Sequence, residues 1–349
     1  MRSQSRARRA HIEAQDSSAR MPSPLVDAGL LPWADIPYDE TLARKLAFVK
    51  GAFDRRGLRA EVSSVEPSPR TTGARARVKF QVEGGQLGFY RLGTHDFVRP
   101  SLDELARPEI VAAASAIRPT AGEVELRSDG ERVVVDATAP VRGLPDVAIK
   151  GRPVAGNPNL LIDGLRASPG TFFQVNLEVN RALVALVDQW LRDERAEALL
   201  DLYGGIGNLS RAARARGTPV TLVESNPASV ADAKHNLPGA SVQRGDAGRF
   251  QSGSVVFDVA LLDPPRQGAP GVLTRIATTR PRAIVYVSCD PVTLARDVAE
   301  LGDAYEIAQL VPFDMFPGTD HVESACLLRR VTRTGRPVQS SRATRTSRR

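Results

Sequence analysis

The sequence predicts an α/β protein. A doubly wound, Rossmann-like domain forms its carboxyl-terminal half, preceded by an α+β domain on an antiparallel sheet. Two observations carry this. From about residue 171, short apolar runs alternate with stretches of helical periodicity, the pattern of a parallel sheet covered by helices. Before that point, alternating apolar and polar residues flank Gly84-Gly85 and Asp129-Gly130, the pattern of hairpins.

Taken in order, LARKLAFVKGAFDRRG (42–57) has helical spacing that sets Leu42, Leu46, Val49 and Phe53 on one face. ARVKFQVEGGQLGFYRLG (76–93) reads as a hairpin, and GEVELRSDGERVVVDATAP (122–140) repeats the pattern. The Gly- and Pro-rich stretch 151–169 reads as a boundary. A long amphipathic helix over 177–193 opens the second half. Strands follow at 197–203, 219–225, 241–246, 257–265 and 283–288 with helices between them, then a helix from 291. Two last strands, 305–314 and 321–330, have no helix between them and form an antiparallel edge. The expected division is a disordered basic tail over 1–20, an α+β domain over 21–160, the Rossmann-like domain over 161–330, and a disordered Arg-rich tail over 331–349.

Composition excludes several classes. No apolar run reaches about 18 residues, so no membrane span is expected. The Arg-rich start lacks the apolar segment of a secretory signal. Two cysteines give no disulfide framework and fit a reducing cytoplasm. Four scattered histidines add no metal-ligand cluster. The net charge of +7 is unevenly placed: residues 329–349 hold eight arginines and no acid, and residues 1–20 hold five arginines against Glu13 and Asp16. The body between them is net negative. Such tails suit sequence-independent contact with a polyanion, RNA or DNA, although a solubilising tail has the same composition.

The loop DLYGGIGNLS (201–210) follows the first strand of the second half and opens a helix. Gly205 and Gly207 fit close approach of backbone to a ligand, but Ser210 stands where a dinucleotide fingerprint wants its third glycine. Glu224 ends the second strand, where a carboxylate accepts from ribose hydroxyls, and Asp246 ends the third, where adenine is held. A nucleoside ligand without a pyrophosphate fits, S-adenosyl-L-methionine (SAM) first among them. This reading makes the second half a class I SAM-dependent methyltransferase domain. Plain strand capping or NAD binding remain the alternatives.

Cys289, in YVSCDPVTLARD, lies just past the fifth strand. Asp290 is a good N-cap and Pro291 a good first helical residue, so the thiol is expected at a helix N-terminus that favours the thiolate. Position alone leaves nucleophile and small buried filler both open. Cys326, inside the apolar ESACLLRR strand, reads as core. LLDPPRQG (261–268) brings Asp263 to the same cleft, and MFPGTDHVE (315–323) brings Glu323. A thiolate facing a carboxylate suits covalent catalysis with proton abstraction, although a lone Glu323 would read as a surface or paired carboxylate.

Together FFQVN, DLYGGIGNLS, VESN, DPPRQG, VSCDPVTLARD and DMFPGTDHVE, in this order, resemble the RNA uridine C5-methyltransferases, which make 5-methyluridine in tRNA and 23S rRNA. The likeness extends more weakly into PSPRTTGARARVKF and LGFYRLGTHDFV. The resemblance implies Cys289 as the nucleophile that adds to uracil C6 and Glu323 as the base that removes the C5 proton. It implies a SAM site lined by Gln174, Tyr203, Asn208, Glu224, Asp246 and Asp263, with Asp263 alternatively on the target base. It implies a cytoplasmic enzyme acting on rRNA first and tRNA next.

The chain departs from the family pattern in two ways. Many members hold an iron–sulfur cluster on four cysteines in the first half. VDAGLLPWADIPYDETLARK (26–45) looks like the flank of that region and contains no cysteine, so no cluster is expected. Many also begin with a small RNA-binding barrel, for which there is no room before residue 21. Two other methyltransferase classes fit less well. A cytosine-C5 enzyme would place its cysteine after the fourth strand, where DPPRQG stands, and an adenine amino-methyltransferase would have an aromatic in place of Arg266. A catalytically inactive RNA-binding or folding factor on the same fold is the alternative of a different class.

Overall fold

The computed structural model describes residues 23–331 apart from 252 and 254. The tails expected over 1–20 and beyond 331 lie outside the described residues. The first half opens with a one-turn helix, α1 (Pro24–Asp27), and a long helix, α2 (Tyr38–Asp54). A meander follows: β1 (Arg77–Glu83), β2 (Gln86–Tyr90) and β3 (Phe97–Val98), the first two joined over Gly84-Gly85 as predicted. Helix α3 (Pro108–Ala116) and β4 (Arg118–Pro119) lead to the hairpin β5 (Gly122–Ser128) and β6 (Val133–Ala137). Then come β7 (Val141–Arg142), β8 (Val147–Ile149) and β9 (Arg152–Ala155). The sheet order is β3-β2-β1-β5-β6-β8-β9.

This sheet departs from the antiparallel expectation at one place: β6 and β8 are parallel. The chain leaves after β6, pairs β7 with β4, and re-enters in its former direction. The stretch 151–169 is more than a boundary. It holds β9 and a small hairpin, β10 (Leu160–Ile162) with β11 (Leu165–Ala167). Leu160, Ile162, Leu165 and Ala167 are buried in one cluster with Ala76, Val134, Phe173, Leu177 and Ile206. The glycines and prolines there punctuate three very short strands.

The second half matches the predicted plan. Helix α4 (Leu177–Asp193) is capped by Asn176, whose side chain accepts from Val179 N. β12 (Leu199–Leu202), α5 (Arg211–Ala215), β13 (Val220–Glu224), α6 (Pro227–Asn236), β14 (Ser241–Arg244), β15 (Val259–Leu262), α7 (Val272–Ala277), β16 (Ala283–Ser288), α8 (Pro291–Ala299), β17 (Tyr305–Phe313) and β18 (Glu323–Arg330) follow. Their sheet order is β14-β13-β12-β15-β16-β18-β17. The first five strands are parallel; β18 runs antiparallel to both β16 and β17. Only a 3-10 turn (Ala247–Arg249) lies between β14 and β15, where the sequence predicts a helix. Every residue of β12, β15 and β16 is buried, which is why those segments read as continuous apolar runs.

Helix α2 differs most from its sequence reading. It starts at Tyr38, and its buried stripe is Thr41, Lys45, Val49, Ala52 and Phe53, with Leu42 and Leu46 only partly covered. Its partners are not in the first sheet. Val49, Ala52 and Phe53 share a core with Leu294 and Val298 of α8, Tyr286 of β16 and Cys326 of β18. A bridge between Glu66 and Phe313 continues this attachment. Among the described residues no helix is long and apolar enough to cross a membrane.

Candidate active site

The parallel strands end along one edge, and most of the singled-out residues stand on it. Beyond β12 the chain turns sharply through Tyr203 and two glycines. Tyr203 has φ +59° and Gly205 φ +55°, both left-handed, a cost of about 1–3 kcal/mol for the tyrosine. Gly204, which the sequence reading passed over, is the tightest point: a Cβ there would lie 2.5 Å from Leu222 and 2.9 Å from Asp201. Glu224 at the end of β13 fixes this turn. Its Oε2 accepts from Gly205 N at 3.1 Å and its Oε1 from Asn226 N at 2.6 Å. Beneath the turn Asp201 is buried, one carboxylate oxygen lacks a partner among the described residues, and burial pushes its pKa up to about 7.

The other residues assigned to the cofactor are placed differently. Gln174 is buried in the segment before α4, which Ala76 N ties to the first sheet through Val175 O and Asn226 Nδ2 ties to Glu224's loop through Gly170 O. Asp246 is exposed two residues past β14; its carboxylate caps the 3-10 turn at Gly248 N, 2.8 Å away. Asn208 faces α4. Its amide pairs reciprocally with that of Asn180, at 2.8 and 3.2 Å, beside a cavity of about 350 Å³.

Cys289 and Glu323 meet because β18 is antiparallel. The last rung between β16 and β18 is Ser288 with Ser324. The next residues outward are Cys289, leaving β16, and Glu323, entering β18. Fourth-strand Asp263 joins them at the end of β15. Glu323 is buried, and its Oε1 has no partner among the described residues. Burial and then the charge of Asp263 hold the Glu323 carboxyl well above the usual range. Asp263 itself is pushed up to about 7 by burial and by Asp201.

The thiol corrects the sequence reading. Asp290 is the N-cap as expected, accepting from Val292 N at 2.8 Å and Thr293 N at 3.2 Å. Those N–H groups are therefore spent on Asp290. Burial, then the Glu323 carboxylate, push the Cys289 thiol up to about 11, with Arg266 pulling the other way. Arg266 is a charged neighbour that the sequence offered only as an absent aromatic. Its Nη2 lies 2.7 and 2.8 Å from the two ring nitrogens of His321, two residues before Glu323 in the same motif.

YVSCDPVTLARD also anchors the DPPRQG loop. Asp297 is fully buried and accepts from Tyr286 OH at 2.6 Å and Ala269 N at 2.7 Å. Arg296 Nη2 donates to Gln267 O at 2.8 Å. A Cβ on Gly268 would strike Asp297 at 2.6 Å. The two ends of one motif thus hold Cys289 and, through the neighbouring loop, Asp263 and Arg266.

The second half carries a Rossmann-like sheet with the singled-out residues along its carboxyl edge. Its structure superposes on that of the Pyrococcus abyssi tRNA (uracil-54, C5)-methyltransferase, solved in complex with S-adenosyl-L-homocysteine, with a TM-score of 0.68 at 24% identity, covering 88% of this chain and 87% of that one. The tRNA (Uracil-5-)-methyltransferase family model matches residues 249–331. The 23S rRNA (uracil(1939)-C(5))-methyltransferase RlmD of Edwardsiella ictaluri is 33% identical over 311 residues, 76% of this chain and 71% of that protein. The chain belongs to the RNA uracil-C5-methyltransferase family. RlmD of Aeromonas salmonicida is 34% identical over 245 residues, 64% of this chain, and RlmD of Klebsiella pneumoniae 42% over 180 residues, 48% of this chain. The matched parts span 55% and 42% of those two relatives, about half their length.

Proposed function

We propose that this protein is a cytoplasmic enzyme that methylates uridine C5 in RNA with SAM, on 23S rRNA in preference to tRNA. The observation that carries the reading is Cys289 beside Glu323 just past the last rung of the β16–β18 ladder, at the edge where the Gly204 turn and Glu224 lie. The rRNA preference rests on the 23S rRNA activity named for the relatives.

The residues present fit SAM. Gly204 admits no side chain at the turn, Glu224 at the end of β13 holds that turn through Gly205 N, and Gln174 is buried in the segment tied to Glu224's loop. Gln174, Tyr203, Glu224, Asp246 and Asp263 would hold the molecule. Asn208 would do so after giving up its bond to Asn180. When bound, SAM supplies an electrophilic methyl group.

Uracil C5 is a weak nucleophile. The Cys289 thiolate adds to C6, forming an S–C6 bond and pushing an electron pair toward C5 and O4. Arg266, which favours the thiolate, acts at this step. After C5 is methylated, the Glu323 carboxylate takes the C5 proton. The C5–H pair re-forms the C5=C6 bond and the S–C6 bond breaks, returning the thiolate. The raised affinity of Glu323 for a proton suits it to the base role. The target base leaves its stack to reach such an edge, at a cost of a few kcal/mol. Residues 21–160 are proposed as the RNA-recognition domain, and the Arg-rich tails as added affinity. Deleting 331–349 removes six arginines; RNA binding is expected to weaken and its salt dependence to flatten, as a filter-binding titration over salt concentration measures.

Incubation with methyl-labelled SAM and unmodified rRNA tests the reading. Label is expected in 5-methyluridine and absent with Cys289→Ala. Label in another nucleoside, or retained by that variant, would contradict it.

A further inference from the structure

The loop that delivers Glu323 is held from outside its own sheet. It runs from Asp314, next to the last β17 residue, to Glu323, the first of β18, and Phe313 and Glu323 face each other on the final rung. Asp314 is fully buried. Lys45 Nζ of α2 lies 2.5 Å from its Oδ1, and Tyr38 OH, at the start of α2, donates to its Oδ2 at 2.7 Å. Lys45 Nζ also donates to Phe316 O at 3.0 Å. At the tip, Trp33 N donates to Gly318 O at 2.9 Å. Tyr38 OH in turn accepts from Ser68 N at 2.8 Å, so the brace reaches the segment entering the first sheet.

Burying the Lys45 ammonium is costly, and burial holds its pKa down while Asp314 opposes. A helix face needs no lysine to pack; apolar residues of similar volume would serve packing as well. What an ion pair adds is a direction, because both carboxylate oxygens of Asp314 are fixed at once.

We infer that Lys45 and Tyr38 are positioning residues for the methylation reaction: by clamping Asp314 and the carbonyl of Phe316 they set the loop from which Glu323 reaches the C5 proton. This rests on the reading of Glu323 as the base. Loss of the clamp impairs the last step, proton removal and thiolate release, more than the first, addition of Cys289 to C6. Protein joined covalently to ordinary uridine RNA then accumulates.

The test uses the full chain with SAM and rRNA. The variants are Tyr38→Phe and the double Lys45→Met/Asp314→Leu, whose apolar pair keeps the core filled. Three quantities are read: the melting temperature, the rate of covalent complex formation on a denaturing gel, and the rate of 5-methyluridine release. The double variant is expected to melt close to wild type. Both variants are expected to form complex within a few-fold of wild type but to release product about tenfold to a hundredfold more slowly. Release at the wild-type rate, or equal loss of formation and release, would overturn the inference. Wild-type protein that makes no 5-methyluridine would overturn the base role as well, which separates the two failures.

Discussion

Cys326 lies within β18 and Cys289 just past the end of the adjacent β16, and the two have opposite surroundings. Cys326 is opposite Tyr286, inside the ladder; it is fully buried among apolar side chains, and burial alone raises its thiol. Cys289 lies three residues past Tyr286, beyond the last rung, partly exposed and surrounded by Glu323, Asp263 and Arg266. The strands are the same; only the distance to the carboxyl edge differs. Within the ladder a thiol packs, whereas at the edge it meets charges brought by two separate loops.

Exchanging the two positions breaks the comparison most severely. Cys289→Ala is expected to reduce methylation about 10⁴-fold or more in a labelled-SAM assay, with little change in melting temperature. Cys326→Ala is expected to keep the activity and cost about 1 kcal/mol of stability in a denaturant titration. Glu323→Gln is expected next, lowering kcat about 10²- to 10⁴-fold while covalent complex with ordinary RNA builds up on a denaturing gel.

The pH dependence sharpens the contrast. Cys289 and Glu323 must both lose a proton to act, and both pKa values are raised, so kcat/KM is expected to climb as pH rises from 6 to 9. Arg266→Gln removes a cation that favours the thiolate, so the rising limb is expected to move to higher pH. The smallest effect concerns Asp201. Its pKa is raised to about 7 when folded, so the folded protein holds a proton that the unfolded chain releases near pH 4. Melting temperature is therefore expected to fall as pH rises from about 4 to 7, and Asp201→Asn is expected to flatten that slope.

Sequence disclosed what local pattern controls. β12, β15 and β16 are buried on both faces and read as unbroken apolar runs, and the missing helix between β17 and β18 gave away the antiparallel edge. Asp290 and Pro291 marked the start of α8 by cap chemistry alone. What escaped depends on partners far along the chain. Lys45 looks like a solvent residue until Asp314, 269 positions later, is beside it. The α8 N-terminus beside Cys289 was legible, but what raises the thiol, burial first and then the Glu323 carboxylate, depends on β18 arriving beside β16. Asn208 was read from its motif, and nothing local announces Asn180 as its amide partner.

The central claim, that Cys289 attacks uracil C6 and Glu323 completes the exchange, is tested most directly with RNA carrying 5-fluorouridine. Fluorine leaves no C5 proton to remove, so the S–C6 bond cannot be broken. Mixing the protein with SAM and 5-fluorouridine-substituted rRNA is expected to give a denaturation-resistant complex that contains the transferred methyl group and disappears with Cys289→Ala. Absence of complex from protein shown separately to bind SAM and that RNA, or its persistence in the Cys289→Ala variant, would contradict the account.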